Sequence, residues 1–371
     1  MSVVEGGLSA RALVASLSGR VTDDGWTVGE QVNKAIYQTG GAFSLGYLVT
    51  HSDGRSGFLK ALDFSRIDQS SDKMRALEDL TRAYNFERDV LRLCNKSHLS
   101  KVVTAITDGS IKFEDSPFGE VFYLIFELAD GDIRKNAVLS NKFDAVWTVR
   151  ALHHVAVGMQ QLHTNGIFHQ DIKPSNILVF NDQTSKLADL GRSHCRSISA
   201  PHDMLGMPGA RSYAPPEQLY LFELPDRIHA RAAADLYHLG SMIYYMFTSR
   251  MLTPAMMVHL RDEHRPPALS TSDGGWTGTY ADALPYISEG YGACIQELEQ
   301  LVGDAFDRAS GGALTADLIS AFKWLSEPDP AKRGHPVDRA SKAGSPYNLN
   351  RFISILDRVA TRLEYQLKAY R

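Results

Sequence analysis

The sequence predicts an α+β protein with two lobes, a small β-rich lobe followed by a larger helical one. Strand-like runs and one helix fill the first part, whereas long helical patterns dominate from residue 128 onward. A chain of 371 residues is long enough for this arrangement. We expect a loose segment at 1–25, the two lobes at 26–127 and 128–339, and a helical extension at 340–371.

The β-rich lobe is predicted from strand composition and turn chemistry. "FSLGYLVT" and "GFLKALDF" are strand-like runs separated by "HSDGRSG", which is typical of a hairpin turn. "SSDKMRALEDLTRAYNFERDVLRLC" has helical periodicity, and "VFYLIFEL" is a continuous apolar run that indicates a buried strand.

The larger lobe is predicted from two helical segments. "VWTVRALHHVAVGMQQLHTNG" is periodic and stops at Gly166, which is a typical helix end. "RAAADLYHLGSMIYYMF" is apolar nearly all round and predicts a buried central helix. Between this helix and the last one we expect an added loop around 262–290, because Gly, Pro, Ser and Thr are frequent there.

The last segment, "NRFISILDRVATRLEYQLKAY", predicts an amphipathic helix. Its apolar stripe has two interpretations. Packing on the larger lobe is the favoured one, and a homodimer contact through this helix is the alternative. The stripe consists of Phe352, Leu356, Val359 and Leu363.

Composition limits the classes of function. The chain is 44% hydrophobic and 22% charged, as is usual for globular proteins, and its net charge of -4 gives no sign of a nucleic-acid or membrane partner. Its three cysteines are far apart, which disfavours a cysteine zinc site or a disulfide framework and fits the cytoplasm. Neither a signal peptide nor a membrane-spanning run is expected.

Two charged residues of the small lobe lie in apolar patterns. Lys60 falls in the strand "GFLKALDF", and Glu87 falls on the apolar stripe of the predicted helix. A lone strand lysine is usually an edge residue that reaches water, and a stripe glutamate can do the same. Because an unpaired buried carboxylate is costly, an ion pair between the two residues is the sharper hypothesis.

A short stretch of the larger lobe, "GIFHQDIKPSNILVF", holds three polar residues between apolar flanks. Asp171, Lys173 and Asn176 lie there at fixed spacing, and Pro174 excludes an uninterrupted helix. This pattern indicates a loop held on a rigid frame for chemistry. Further on, Asp189 follows the short strand of "KLADLGRS", where an acid either holds a metal ion or serves as an ordinary turn residue.

These motifs stand in the order found in protein kinases. "HQDIKPSNIL" resembles the kinase catalytic loop, "DLG" the metal-binding triplet, and "GARSYAPPE" the end of the activation segment. "EPDPAKRG" resembles a late arginine motif, which implies that Arg333 pairs with Glu217. The resemblance runs from about Trp26 to about Pro336 and implies a bilobal, protein-kinase-like fold.

The resemblance also implies chemical roles. Transfer of the ATP γ-phosphoryl group is mainly a matter of positioning and charge. Asp171 would orient or deprotonate the acceptor hydroxyl, and Lys173 would neutralise charge on the moving group. Asn176 and Asp189 would hold Mg2+ against the phosphates. Lys173 followed by Pro174 resembles serine/threonine kinases.

The nucleotide site follows from the same resemblance. Lys60, held by Glu87, would contact the α- and β-phosphates, and a turn with Gly40 and Gly41 would cover them. By itself this turn, within "TGGAFSLGY", is weak support, because an ordinary turn has the same composition.

The adenine pocket departs from the family pattern at two positions. The chain has Gly46 where the family usually has valine and Phe58 where it usually has alanine. We expect the Phe58 ring to fill the space above Gly46 and roof the nucleotide site, whereas the alternative is a ring that blocks ATP. Adenine would meet the backbone of Glu127 and Ala129.

Other departures concern the glycine loop, acceptor choice and regulation. Ser44 replaces the third glycine of the loop, and Ala210 replaces a threonine that helps to shape the acceptor site. Gln170 replaces the arginine that many kinases use to bind a phosphate on the activation segment, so activity is expected not to depend strictly on such a phosphate. Arg192 and Arg196 could bind one instead. The activation-segment serines whose phosphorylation is expected not to be strictly required are Ser193, Ser197, Ser199 and Ser212.

Three functions fit the resemblance. The first is an ATP-dependent Ser/Thr protein kinase that acts on a protein substrate, which can include the chain itself. The second is a pseudokinase, a nucleotide-binding scaffold without turnover, which the altered glycine loop suggests. The third is a small-molecule kinase, which the "APPE" segment and the expected Glu217–Arg333 pair argue against.

Overall fold

The structure is a computed structural model. It describes residue 14 and residues 16–32, 44–65, 67, 70–113, 119–135, 143–267, 275–310 and 312–369, without the side chains of 307–310 and 367–369. Within these ranges a β-rich lobe precedes a mostly helical one, so the predicted α+β, two-lobed class is confirmed.

The small lobe is built on one antiparallel sheet. Its strands are β1 (Trp26–Gln31), β2 (Ser44–His51), β3 (Ser56–Leu62), β4 (Ala105–Lys112) and β5 (Glu120–Glu127), in the order β1-β2-β3-β5-β4. Helix α1 (Lys73–Lys96) lies between β3 and β4 in the chain, and the carboxylate of Asp72 caps it by accepting the backbone N–H of Arg75. The predicted hairpin, helix and buried strand are all present.

Alternation along β3 decides which side chains face the cleft. Leu59 and Ala61 are fully buried in the core of the sheet, whereas Phe58 and Lys60 point to the opposite face and line the cleft. In β2, Gly46 lies opposite Lys60.

The described residues before β1, residue 14 and residues 16–25, are packed on the sheet and not loose, so the prediction for 1–25 is wrong for this part. Val14 and Leu17 are fully buried in the sheet core, and the Tyr47 hydroxyl donates to the carbonyl of Val14. The backbone N–H of Val28 donates to the carbonyl of Arg20 (2.8 Å). The sheet face needs apolar cover, which the Gly- and Ser-rich composition of the segment did not reveal.

The larger lobe is helical. Its helices are α2 (Ala145–Thr164), α3 (Pro216–Leu219), α4 (Arg227–Thr248), α5 (Leu252–Val258), α6 (Tyr280–Ser310), α7 (Ala313–Leu325), α8 (Pro336–Ala340) and α9 (Asn350–Ala369). Every residue of α4 from Arg231 to Tyr244 is buried, which confirms the predicted central helix. None of the described helices has the length and apolar composition required to cross a membrane.

Short strands frame the loop that carries the polar motif. These strands are β6 (Gly131–Asp132), β7 (Ile167–Phe168), β8 (Ile177–Val179), β9 (Ser185–Leu187) and β10 (His194–Cys195). β8 pairs with β6 and β9, and β7 pairs with β10. The apolar flanks noted in the sequence are therefore β7 and β8, and they hold residues 169–176 between them.

The added loop expected around 262–290 is in large part helical, which corrects the prediction. A 3-10 turn spans Asp262–His264, and α6 begins at Tyr280 and continues for 31 residues. Residues 268–274 lie outside the described part of the chain. The turn residues of this region precede α6, whose own buried positions recur at helical spacing from Ala283 through Ile287 to Tyr291.

The C-terminal helix α9 packs on the larger lobe as the favoured interpretation proposed. All four stripe residues, from Phe352 to Leu363, are buried in the main core. Arg150 of α2 donates to Asp357 and Glu364 of α9, each at 2.7 Å. This burial supports the favoured interpretation and leaves the four stripe residues no free surface for a partner copy, whereas a homodimer through another face of α9 stays a prediction.

Candidate active site

A cleft lies between the sheet and the larger lobe, and most of its lining is apolar, as is usual for a small-molecule site. Several residues expected to bind a nucleotide line this one cleft, although they are distant in sequence: Phe58, Lys60, Glu87, Glu127, Ala129 and Asp189. Gly40 and Gly41 lie outside the described residues.

Lys60 and Glu87 form the predicted ion pair. The Lys60 Nζ atom is 2.7 Å from Oε1 of Glu87 and 3.2 Å from Oδ1 of Asp189. Burial opposes a charge on Lys60, but the carboxylates of Asp189 and Glu87 outweigh it and hold the pKa of Lys60 above its ordinary value. The lysine is therefore a fixed cation in the lining of the cleft.

Asp189 is held at a backbone turn that few non-glycine residues adopt. Its φ of 63° is in the left-handed region, and it directly precedes a 3-10 turn over Leu190–Arg192. Leu190 is fully buried and anchors the turn. The functional interpretation of Asp189 therefore gains support, since the turn directs its carboxylate toward Lys60.

The candidate catalytic loop forms a compact polar cluster. Oδ2 of Asp171 accepts from Nζ of Lys173 (2.6 Å), and Oδ1 accepts from the backbone N–H of Ala210 (2.7 Å). Nδ2 of Asn176 donates to the Asp171 carbonyl (2.9 Å). The carbonyl of Asn176 accepts from the N–H of Ala188, one residue before Asp189 (2.9 Å). The cluster is thus tied to the turn that carries Asp189.

A buried carboxylate that the sequence analysis missed supports this loop. Asp235 of α4 is fully buried and accepts the backbone N–H groups of His169 and Gln170, each at 2.8 Å. Burial alone would favour its neutral form, but the hydrogen bond to His163 and the nearby His238 ring hold the pKa of Asp235 far below its ordinary value. The sequence feature that could have revealed Asp235 was a single acidic residue in an otherwise apolar helical pattern.

The Phe58 ring fills the space beside Gly46, as predicted. A Cβ atom added to Gly46 would lie 2.6 Å from Cζ of Phe58, a distance that real Cβ atoms essentially never show. The ring therefore occupies the space of the missing side chain, and it also lines the cleft.

The end of the activation segment is fixed to the larger lobe by the predicted pair. Arg333 is fully buried, and its guanidinium donates to both carboxylate oxygens of Glu217, at 2.8 and 3.0 Å. Gly209 approaches the catalytic loop so closely that an added Cβ would lie 2.3 Å from the carbonyl oxygen of Gln170. This close approach places Ala210 beside Asp171.

Comparison with known families identifies the class of protein. The protein kinase domain family matches residues 40–273. This match covers more than half of the chain, and the chain belongs to the protein kinase family. The family resemblance of the motifs and the bilobal α+β fold agree with it.

Curated relatives are similar at low identity. The chain is 28% identical over 232 residues to an Aurora kinase of Debaryomyces hansenii, covering 62% of this chain and 49% of that protein. It is 28% identical over 165 residues to the serine/threonine-protein kinase PknB of Mycobacterium tuberculosis, covering 42% and 25%. It is 27% identical over 144 residues to the serine/threonine-protein kinase greatwall of Mus musculus, covering 38% and 15%. The chain thus matches half or less of the length of these relatives.

Proposed function

We propose that the chain is an ATP-dependent Ser/Thr protein kinase. The observation that carries the proposal is that the Lys60–Glu87 pair and Asp189 line one cleft, while a backbone hydrogen bond ties the Asp171 cluster to the turn that carries Asp189. Phosphoryl transfer requires fixed charges and little covalent chemistry from the protein, and this arrangement supplies such charges. The names of the relatives support Ser/Thr acceptors.

In this proposal the chain orients ATP and a protein substrate. Lys60 neutralises charge on the α- and β-phosphates of ATP, and the backbone at Glu127 and Ala129 meets the adenine. Asp171 orients the acceptor hydroxyl of a protein substrate and takes its proton, while Lys173 neutralises the transferred group. The proton leaves the hydroxyl as its oxygen bonds to the γ-phosphorus, and ADP departs with the bridging oxygen.

The donor set of Asp189 and Asn176 fits magnesium. Mg2+ prefers oxygen ligands and is usually held by one or two protein oxygens together with substrate phosphates. A carboxylate and an amide oxygen on segments joined by the Ala188–Asn176 hydrogen bond satisfy this preference. The ion would supply charge neutralisation of the phosphates.

A nucleotide-binding scaffold without turnover is the second candidate. One observation favours it, because both carboxylate oxygens of Asp171 already accept hydrogen bonds, from Lys173 and from the backbone of Ala210. An acceptor hydroxyl would have to share or displace one of them. A small-molecule kinase is disfavoured by the Glu217–Arg333 pair, which the resemblance associates with protein substrates.

Phosphoryl transfer with Asp171→Asn tests the proposal. We expect labelled Mg-ATP to label protein acceptors or the chain itself on Ser or Thr, as read by mass spectrometry. Asp171→Asn should lower the rate by about 100-fold or more, in line with typical acid–base contributions, while ATP still binds. Asp304→Asn, an exposed change on α6, serves as control and should keep the wild-type rate. ATP binding without transfer to any acceptor would favour the scaffold instead.

A further inference from the structure

A buried arginine of α4 contacts the activation segment. Arg231 is 6% exposed, and it lies one helical turn before Asp235. Arginine is rarely buried without a carboxylate or phosphate partner. In the described part of the chain the hydrogen-bond acceptors of this guanidinium are all neutral oxygens.

These oxygens belong to two separate functional segments. Nη2 of Arg231 donates to the carbonyls of Asp203 (3.1 Å) and Leu205 (3.2 Å) in the activation segment. Nη1 is 3.4 Å from Oε1 of Gln170 in the catalytic loop. In return, Nε2 of Gln170 donates to the Arg231 carbonyl (2.9 Å) and to Asp235 (2.9 Å). One guanidinium therefore joins the activation segment to the residue that precedes Asp171.

The position of the Arg231 guanidinium explains why residue 170 is a glutamine and not the arginine that many kinases have there. An arginine at 170 would bring a second guanidinium against Arg231 in a buried setting, where like charges repel strongly. Burial already lowers the pKa of Arg231, so nearby carboxylates do not fully offset the cost of its charge. The neutral amide of Gln170 accepts from the guanidinium and avoids this repulsion.

Further contacts hold the activation segment in the same conformation. Nδ1 of His194 and Oδ1 of Asp203 are 2.8 Å apart, so this contact bridges the two ends of residues 194–203. Nε2 of His202 lies 2.9 Å from the carbonyl of Ser193. The His202 ring also packs edge-on against Phe86, the neighbour of Glu87 on α1, with centroids 5.4 Å apart. Order in this segment is thus linked to the helix that carries the ion pair.

We propose that Arg231 is a positioning residue that fixes the activation segment against the catalytic loop without any phosphate. The proposal rests on the proposed kinase function and names the regulation of the same site. Where a catalytic-loop arginine would need a phosphate as its anionic partner, Arg231 uses the carbonyl oxygens of the chain itself. The segment is therefore in place as soon as the chain folds.

Amide hydrogen exchange tests the positioning directly, with or without catalysis. We expect exchange in residues 200–210 to rise about tenfold or more in Arg231→Met, because several charged hydrogen bonds are lost. Arg231→Lys keeps the charge but cannot reach all three oxygens, and it should lie in between. Arg227→Met is the matched control, since Arg227 is exposed on the same helix and donates a weak hydrogen bond to the sulfur of Met204 (3.8 Å). Unchanged exchange in both Arg231 variants would overturn the proposal.

Kinetics supply a second measurement. We expect Arg231→Met to raise KM for the protein acceptor about tenfold or more and to leave KM for ATP nearly unchanged, since ATP binds in the cleft and not at the segment. Phosphatase-treated wild type should keep its full rate. A phosphatase-sensitive wild type, or an equal rise in both KM values, would contradict the proposal. If the wild type transfers no phosphate at all, the kinase function fails, and the exchange measurement still decides the positioning role.

A charge exchange between the two positions gives the third measurement. Gln170→Arg should raise amide hydrogen exchange in residues 200–210, because it places two guanidinium groups together. Adding Arg231→Gln removes one of these groups and should lower the exchange part of the way back. Additive effects of the two changes would show that the positions are not coupled and would refute the proposed role of Gln170. This double variant also keeps the test decisive if Arg231→Met does not fold.

Discussion

Phe58 and Gly46 show at the scale of single residues how two unusual positions can be one feature. Each departs from the family pattern, and each alone would harm the nucleotide site by a lost or an added side chain. Together they conserve volume, because the Phe58 ring lies where a side chain at Gly46 would be. The ring also lines the cleft, so it can roof a bound purine.

We expect Phe58→Ala to weaken Mg-ATP binding by about tenfold, because removal of the ring leaves a hole that the glycine cannot fill. Gly46→Val alone should destabilise the small lobe through a clash with the ring. The double variant Gly46→Val/Phe58→Ala restores the family pair and should bind Mg-ATP more tightly than either single variant. Titration calorimetry and thermal shift measure these effects. Tighter binding by Phe58→Ala than by wild type would mean that the ring blocks the site.

Sequence reasoning reached the residues that break a local pattern. Lys60 in an apolar strand and Glu87 on an apolar stripe each pointed to a partner, and the structure joins them at 2.7 Å. It did not reach Asp235 and Arg231, which lie in the apolar helix α4. Their roles depend on which backbone atoms of other segments come close, and such proximity is a property of the tertiary structure.

At the scale of elements, hydrophobic periodicity correctly predicted which residues face the core. Composition rich in turn-forming residues gave a wrong prediction for one segment. The stripe of α9 was predicted and is buried on the larger lobe. The Pro and Gly residues before and within the start of α6 predict a loop there, but the helix forms and includes Pro285. Tertiary packing of Ala283 and Ile287 outweighs the local preference.

Docking of α9 should contribute measurably to stability. Leu356→Ala removes a fully buried side chain between α9 and its neighbours and should lower the free energy of unfolding by about 2–5 kcal/mol. Tyr365→Ala is the matched control on the same helix, because this side chain is 72% exposed, and it should change stability by about 0.5 kcal/mol or less. Urea unfolding followed by circular dichroism measures both. Equal effects would show that α9 is not docked through its apolar stripe.

At the scale of the whole molecule, the two lobes are joined beside the cleft. The backbone N–H of Val103 donates to the carbonyl of Leu187 (2.8 Å), and the N–H of Leu187 donates to the carbonyl of Lys101 (2.9 Å). These bonds tie the segment after α1 to β9, two residues before Asp189. Together with the contact between Lys60 and Asp189, they hold the small lobe against the larger one. The order of motifs predicted the lobes, but this connection required the folded chain.

Burial of histidines makes the stability of the folded chain depend on pH. Burial lowers the pKa of several histidines of the larger lobe, among them His169, His202 and His154, and it lowers that of His154 from 6.5 to about 4. In the unfolded chain these groups titrate near 6.5, so above that pH they are neutral in both states and their contribution to stability is complete. As the pH falls from 6.5 toward 4, the unfolded state binds protons that the folded state excludes, and stability is lost.

We therefore expect the urea midpoint to be constant from pH 8 to 7 and to fall steadily between pH 6.5 and 4.5. His154→Gln keeps an acceptor for the N–H of Ser185, which bonds to Nδ1 of His154 at 3.2 Å, but it cannot take up a proton. It should recover roughly 1–2 kcal/mol of the loss at pH 4.5, a figure reduced to account for partial exposure of the ring. His259→Gln, a change of a histidine just after α5, is the control and should follow the wild-type profile. A His154→Gln profile parallel to that of the wild type would show that this histidine does not drive the acid sensitivity.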